Sequence, residues 1–126
     1  MSTDLPTADS IALAYVRDGA GDDDGYRVLI DRLWPRGVSK AKAAVDEWCK
    51  AVAPSDGLRK AFHHDGLSWE DFEERYRAEL KEGERHEAML ALRERARSGR
   101  VTLVYGTKGG DERSQAPVLR AVMLGR

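Results

Sequence analysis

Residues 26–33 read YRVLIDRL, and this stretch decides the fold. Its centre, Val28-Leu29-Ile30, is apolar at three successive positions, so a strand formed here buries both faces of its sheet. Sheets of that kind are mainly parallel and carry helices on both sides. Pro35, in the WPRG that follows, ends the strand because it cannot continue a central ladder. Upstream, residues 11–16 (IALAYV) form a second apolar run of strand length. Residues 18–25 between them (DGAGDDDG) hold three Gly and four Asp, which is turn chemistry. Residues 100–106 (RVTLVYG) supply a third strand.

The chain between the second and third strands reads as helix. Ser39 caps a helix whose apolar positions Ala44, Val45, Trp48, Cys49 and Val52 recur at helical spacing, although the stretch from Val45 also alternates as a strand would. Pro54-Ser55 opens a short helix with Leu58, Ala61 and Phe62. Ser68 with Asp71 is a capping-box signature, and Trp69, Phe72, Tyr76 and Leu80 make the stripe behind it. Residues 83–98 form a charged helix with Met89, Leu92 and Ala96 inward and Gly99 as its C′ residue. The last helix starts near Ser114, with Pro117 in its first turn. A crossover of this length between strands of one sheet implies parallel pairing. The expected architecture is a small three-layer α/β domain with a short, mainly parallel sheet flanked by helices. It spans residues 11–126, and residues 1–10, rich in Ser, Thr, Asp and Pro, are a flexible N-terminal tail.

Composition narrows the function classes. The chain has 126 residues, 41% hydrophobic and 34% charged, which is one globular domain. Its 21 basic and 22 acidic residues leave a net charge of −1, so strong non-specific nucleic-acid binding is not expected. A single cysteine, Cys49, excludes an internal disulfide and favours a reducing compartment. Residues 1–10 lack the basic and apolar regions of a signal peptide, and no run approaches the ~20 apolar residues that span a bilayer. The expected location is the cytoplasm, with no membrane partner.

Ligands of parallel sheets bind beyond the carboxyl ends of the strands. Two segments fall there. In DRLWPRGVSK, Arg32, Trp34 and Arg36 flank a stiff turn: guanidinium forks match phosphate or carboxylate oxygens, and an indole stacks on a planar group. In YGTKGGDERS, Tyr105 and Lys108 border a Gly-rich turn before a helix N-terminus, where N–H groups favour anions. The same residues also fit a structural role, with Arg32 paired to Asp31 or a helix carboxylate and Trp34 at the edge of the core. The phosphate-loop and dinucleotide Gly spacings are absent. His63 and His64 are adjacent and cannot easily chelate one metal, so no metal and no cofactor are expected. His63 is the first candidate for an acid or base. Cys49, beside Trp48 without a neighbouring base, reads as a buried structural thiol. The charge runs 70–81 and 84–97 read as solvated helix faces.

The runs DGYRVLIDRLWPRGVSK, DEWCKAVAPSDGLRKAFHHD, FEERYRAEL, LVYGTK and ERSQAPVL together resemble the YeaO-like family, a bacterial domain family of unknown function (DUF488). The resemblance covers nearly all of residues 11–124. It implies a bacterial cytosolic α/β domain and supplies no reaction. It marks Arg32, Trp34, Pro35, Arg36, Gly37, Asp46, Trp48, Phe62, His63, Tyr76 and Lys108 as family-typical. Ser114 and Pro117 depart from the usual Asn and aliphatic residue, and the change to Ser114 puts any ligand contact of that Asn in doubt. The expected function is an anion site for a nucleotide or phosphorylated small molecule. In it Arg32 and Arg36 neutralise the charge, Trp34 stacks, and Tyr105 and Lys108 close the second side. The alternative is a non-catalytic regulatory or interaction module that binds a protein or nucleic-acid partner through the same Arg/Trp surface.

Overall fold

The structure, a computed structural model, describes residues 5–108, 110 and 112–126. The first four residues of the expected tail, and residues 109 and 111 of the expected Gly-rich turn, lie outside the described residues. In chain order the elements are β1 (Ile11–Tyr15), β2 (Tyr26–Leu29), α1 (Lys40–Ala43), β3 (Glu47–Trp48), α2 (Asp56–His64), α3 (Trp69–Glu79), α4 (Gly83–Ser98), β4 (Val101–Tyr105) and α5 (Gln115–Met123). The sheet runs β1-β4-β2-β3 and every pair is parallel. The α/β architecture expected from the alternation of strands and helices is therefore present. It has four strands where three were expected.

The side-chain alternation of the strands sorts the core into two layers. Ile11, Val28, Ile30, Val101, Leu103 and Tyr105 face a large cluster closed by Phe72, Tyr76, Leu80, Met89, Leu92, Leu119 and Met123 of the longer helices. Val16, Leu29 and Val104 face a thin layer made by Val38, Ala43, Trp34, Val45 and Trp48. Val28 to Ile30 are fully buried, as the apolar triplet requires.

Several sequence expectations are corrected. The strand expected over 26–33 stops at Leu29, with one further ladder bond from the Ile30 N–H to the Val104 carbonyl (3.0 Å). Beyond it the Asp31 carboxylate, in place of a backbone carbonyl, accepts the next N–H of β4's outgoing chain, from Gly106 (3.0 Å). The helix expected from Ser39 to Val52 is only α1, although Ser39 caps it by accepting the Lys42 N–H. The Arg27 guanidinium ends it. Nε donates to Ala44 O (2.9 Å) and Nη2 to Ala43 O (2.8 Å), so these carbonyls cannot continue the helix, and Ala44 turns into the left-handed region (φ 49°). The Asp46 N–H then joins the Arg27 carbonyl (2.8 Å) and β3 begins. This arrangement overrides the helical spacing that local pattern suggested.

The other caps stand where the sequence puts them: Ser55, Ser68 and Ser114 each accept an N–H in the first turn of α2, α3 and α5. Gly99 follows α4 in extended backbone and leads straight into β4, not as a left-handed C′ residue. The charged helix faces are not all solvated. Arg93 donates to the Val122 and Met123 carbonyls at the end of α5, Arg85 to Ala53 O, and Arg77 to Arg126 O. Near the start, Arg120 reaches the Ala8 and Ile11 carbonyls and Arg100 reaches Asp9 O. No described helix is long and apolar enough to cross a membrane.

Candidate functional site

The segments after β2 and β4 meet at the carboxyl edge of the sheet. A Cβ on Gly106 would lie 2.6 Å from Asp31 Oδ2 and 3.1 Å from Pro35 Cγ, so only glycine fits where the two loops touch. Asp31 is the latch between them. Its Oδ2 accepts the Gly106 N–H at 3.0 Å, its Oδ1 accepts Gln115 Nε2 at 2.7 Å, and its carbonyl accepts the Trp48 indole N–H at 2.8 Å. Burial pushes the Asp31 carboxyl up to about 6, and the Gly106 and Gln115 donors recover only part of the lost hydration.

Beside this latch opens a cleft of about 200 Å³, lined by Asp31, Leu33, Pro54, Arg59, His63, Thr107 and Gln115. Arg59 comes from α2. Its Nη2 pairs with Asp56 Oδ1 at 2.7 Å, while its Nε is buried without an acceptor among the described residues. Lys60 reaches the same carboxylate at 3.1 Å and Arg32 Nε at 3.7 Å. Hydrogen bonds from Arg59 and Lys60 hold Asp56 below the usual carboxylate range. His63 is pulled below its ordinary value, first by burial and then by Arg59 and His64, so it is mainly uncharged at pH 7.

The structure treats the expected site residues unequally. Arg32, exposed, is drawn to Asp56 and so stands next to Arg59, as one expected structural pairing had it. It also borders a wider groove with Lys50, Glu79 and Arg85. Lys108 is exposed one residue beyond Thr107 of the cleft. Arg36 is exposed, and its carbonyl accepts from Arg17 Nη2 at 2.7 Å. Trp34 turns inward: its indole N–H donates to Val38 O at 2.6 Å and its ring meets Trp48 edge-on at 5.4 Å. Tyr105 is buried on the opposite face, 6.1 Å from the Tyr15 ring. The structure thus puts His63 in the cleft with the Lys108 loop beside it, sets Arg32 against Asp56 and in the wider groove, and places the Trp34 and Tyr105 rings in the two separate core layers.

Sequence reasoning missed Arg59, Asp56 and Gln115, and took Asp31 only as an ion-pair partner. The Asp56–Arg59–Lys60 spacing at i+3 and i+4 is legible on a helix. The approach of Arg32 to it is not.

Among the described residues no group of three His, Cys, Asp or Glu side chains is placed to hold a metal ion. Cys49 is buried beside β3, its N–H bonded to Leu29 O (2.8 Å), and burial followed by Glu47 pushes its thiol up, away from a reactive thiolate. Cys49→Ala is expected to lower stability by about 1–3 kcal/mol and to leave ligand binding unchanged. Urea midpoints and a titration of the same variant check this, and loss of binding by a folded Cys49→Ala protein would refute it.

A family model described as "Inactive DUF488-N3 subclade" matches residues 10–126. The Escherichia coli K12 protein named "Uncharacterized protein YeaO" is 46% identical over 99 residues, which cover 79% of this chain and 84% of that one. The Mycobacterium tuberculosis H37Rv "Uncharacterized protein Rv3073c" is 39% identical over 116 residues, 92% of this chain and 95% of its own. No solved structure matches.

Proposed function

Because the chain belongs to the inactive DUF488-N3 subclade, we propose that it binds a small anionic ligand without turning it over, and that the cleft at the carboxyl ends of β2 and β4 is the site. A phosphorylated metabolite or a nucleotide is the class that fits. The observation that carries this reading is the sharing of one carboxylate by three cations: Arg32, Arg59 and Lys60 all converge on Asp56. That group carries two positive charges in excess of its one carboxylate, and its Arg59 lines the cleft. The buried Arg59 Nε has no acceptor among the described residues. A buried donor without an acceptor costs about 1–3 kcal/mol, which a ligand oxygen would recover once the guanidinium turns Nε towards the cleft. The N-terminus of α5, whose first residue Gln115 lines the cleft, favours the same sign of ligand. Neutral His63 supplies a further hydrogen-bonding group, and Lys108, one residue beyond Thr107, a further positive charge beside the cleft.

A protein or nucleic-acid partner docked on the Arg/Trp surface is less well supported, because the Trp34 ring and N–H are engaged by Trp48 and Val38. Its signature would be oligonucleotide binding that falls steeply with salt.

The test is a thermal-shift and calorimetric series at low ionic strength with inorganic phosphate, ribose 5-phosphate and nucleoside monophosphates. At least one is expected to raise the melting temperature. Arg59→Ala should weaken it by about 1.5–3 kcal/mol, the worth of a charge-assisted hydrogen bond. Arg36→Ala should weaken it less. A response from none of these compounds, or unchanged affinity in Arg59→Ala, would overturn the reading.

A further inference from the structure

An anion alone leaves half of the cleft unexplained. A carboxylate repels phosphate, yet Asp31 lines the same small space as Arg59. Each carboxylate oxygen offers two lone-pair sites. Oδ2 uses one on the Gly106 N–H and Oδ1 uses one on Gln115 Nε2, so each oxygen retains one acceptor site. The Gln115 amide, with its nitrogen committed to Asp31, keeps its oxygen as a further acceptor. The walls carry apolar surface as well: Pro54 is buried, and Leu33 is 62% exposed, one of two large hydrophobic side chains so exposed among the described residues. At about 200 Å³ the cleft is smaller than the roughly 300–1,000 Å³ of sites that enclose a whole drug-sized ligand. It suits one planar ring system whose charged substituent stays at the mouth.

We propose that this cleft takes the base of a nucleoside monophosphate, read by Asp31 through two adjacent N–H donors on one edge, with the phosphate held by Arg59 and Arg32. Guanine is the base that carries such a pair, in its ring N1–H and its exocyclic amine. Adenine sets one amine beside a ring acceptor, and uracil sets one N–H between two carbonyls. Neither offers a carboxylate two donors side by side. Leu33 and Pro54 would cover the ring, and the Gln115 oxygen would add to the row of acceptors. This rests on the anion reading above and narrows it to a base. It assigns the specificity to Asp31 and the phosphate affinity to the cations around Asp56.

The experiment is calorimetric titration at pH 7.5 of the full chain and of Asp31→Asn. The ligands are inorganic phosphate, ribose 5-phosphate, GMP, IMP, AMP and XMP. GMP is expected to bind at least tenfold tighter than IMP, which lacks the amine, and than AMP. In Asp31→Asn the GMP preference should fall at least tenfold and XMP should gain, because an asparagine amide donates to the carbonyl that xanthine carries in place of the amine. A gain for XMP cannot arise from misfolding. Equal binding of GMP, IMP, AMP and ribose 5-phosphate would overturn the base assignment while leaving the anion site standing. So would a GMP preference that survives in Asp31→Asn. Binding of none of the six would overturn both.

Discussion

Arg27→Ala is expected to lower folding stability by about 3–5 kcal/mol, the loss that follows when one partner of a buried ion pair is removed. Arg27 is only 3% exposed, in the middle of β2. Its Nη1 pairs with Asp24, while Nε and Nη2 hold the carbonyls of Ala44 and Ala43. Removing the guanidinium leaves the half-buried Asp24 carboxylate with only the Gly21 N–H and takes the side-chain donor from two carbonyls, of which that of buried Ala43 is the more costly to leave open. Arg27→Lys should recover only part of the loss, because one ammonium cannot reproduce a planar fork on three acceptors. The damage should reach the cleft. Without the guanidinium the turn at Ala44 loosens and with it the placement of the Trp48 indole on the Asp31 carbonyl, while the backbone bonds from Asp46 N–H to Arg27 O and from Cys49 N–H to Leu29 O still hold β3 in the sheet. Urea midpoints at constant m-value measure the effect. A loss under about 1 kcal/mol would mean that the chain reaches β3 by some other route.

The second large effect concerns Asp31 and has the opposite sign. Its folded carboxyl titrates near 6, above the ordinary value of 3.8, because burial disfavours the charge. The native state therefore holds a proton that the unfolded chain has already released between about pH 4 and 6. This contribution to stability is fully present below the unfolded value and is lost as pH rises through 6. From 3.8 to about 6, at 1.36 kcal/mol per pKa unit, the loss is up to about 3 kcal/mol. Asp31→Asn keeps an acceptor for Gly106, and the Gln115 amide can turn to present its oxygen to the new amide. The variant should match the wild type near pH 4 and exceed it by up to about 3 kcal/mol above pH 7. Taking the difference between the two proteins cancels the other carboxylates, including Asp56, whose lowered value acts in the reverse direction. Parallel stability curves would show that burial does not penalise this charge. A stability gain in Asp31→Asn would mark the carboxylate as one retained for binding.

These two residues also show what a sequence can and cannot disclose. The triplet Val28-Leu29-Ile30 announces a sheet covered on both faces because double burial is written into consecutive residues. Serine caps at 39, 55, 68 and 114 are legible because a cap acts within one turn. The fate of Arg27 is not legible: a charged residue between apolar neighbours looks like an edge, and its partners lie in a loop before it and a helix after it. Trp34 could equally stack on a ligand or fill the core, and only the placement of Val38 and Trp48 decides for the core. Several residues marked by the family resemblance fasten the backbone: Trp48 bonds Asp31 O, Asp46 the Arg27 N–H, and Tyr76 the Val52 carbonyl at 2.6 Å. Arg59 was passed over because its surface-type helical spacing with Asp56 hides a buried Nε. Arg32 was read correctly as a group near the strand ends, but its place beside Arg59 depends on how the chain beyond Pro35 folds back.

The central claim is that the cleft beside Asp31 is the anion site, and a crystal grown or soaked in phosphate tests it most directly. The predicted result is a phosphate in the cleft with an oxygen about 2.7–3.2 Å from a nitrogen of the Arg59 guanidinium, and Arg32 turned towards it. An Arg59 Nε bonded to an acceptor of its own chain, with the cleft empty and any phosphate confined to Arg36 or Lys108, would contradict the account.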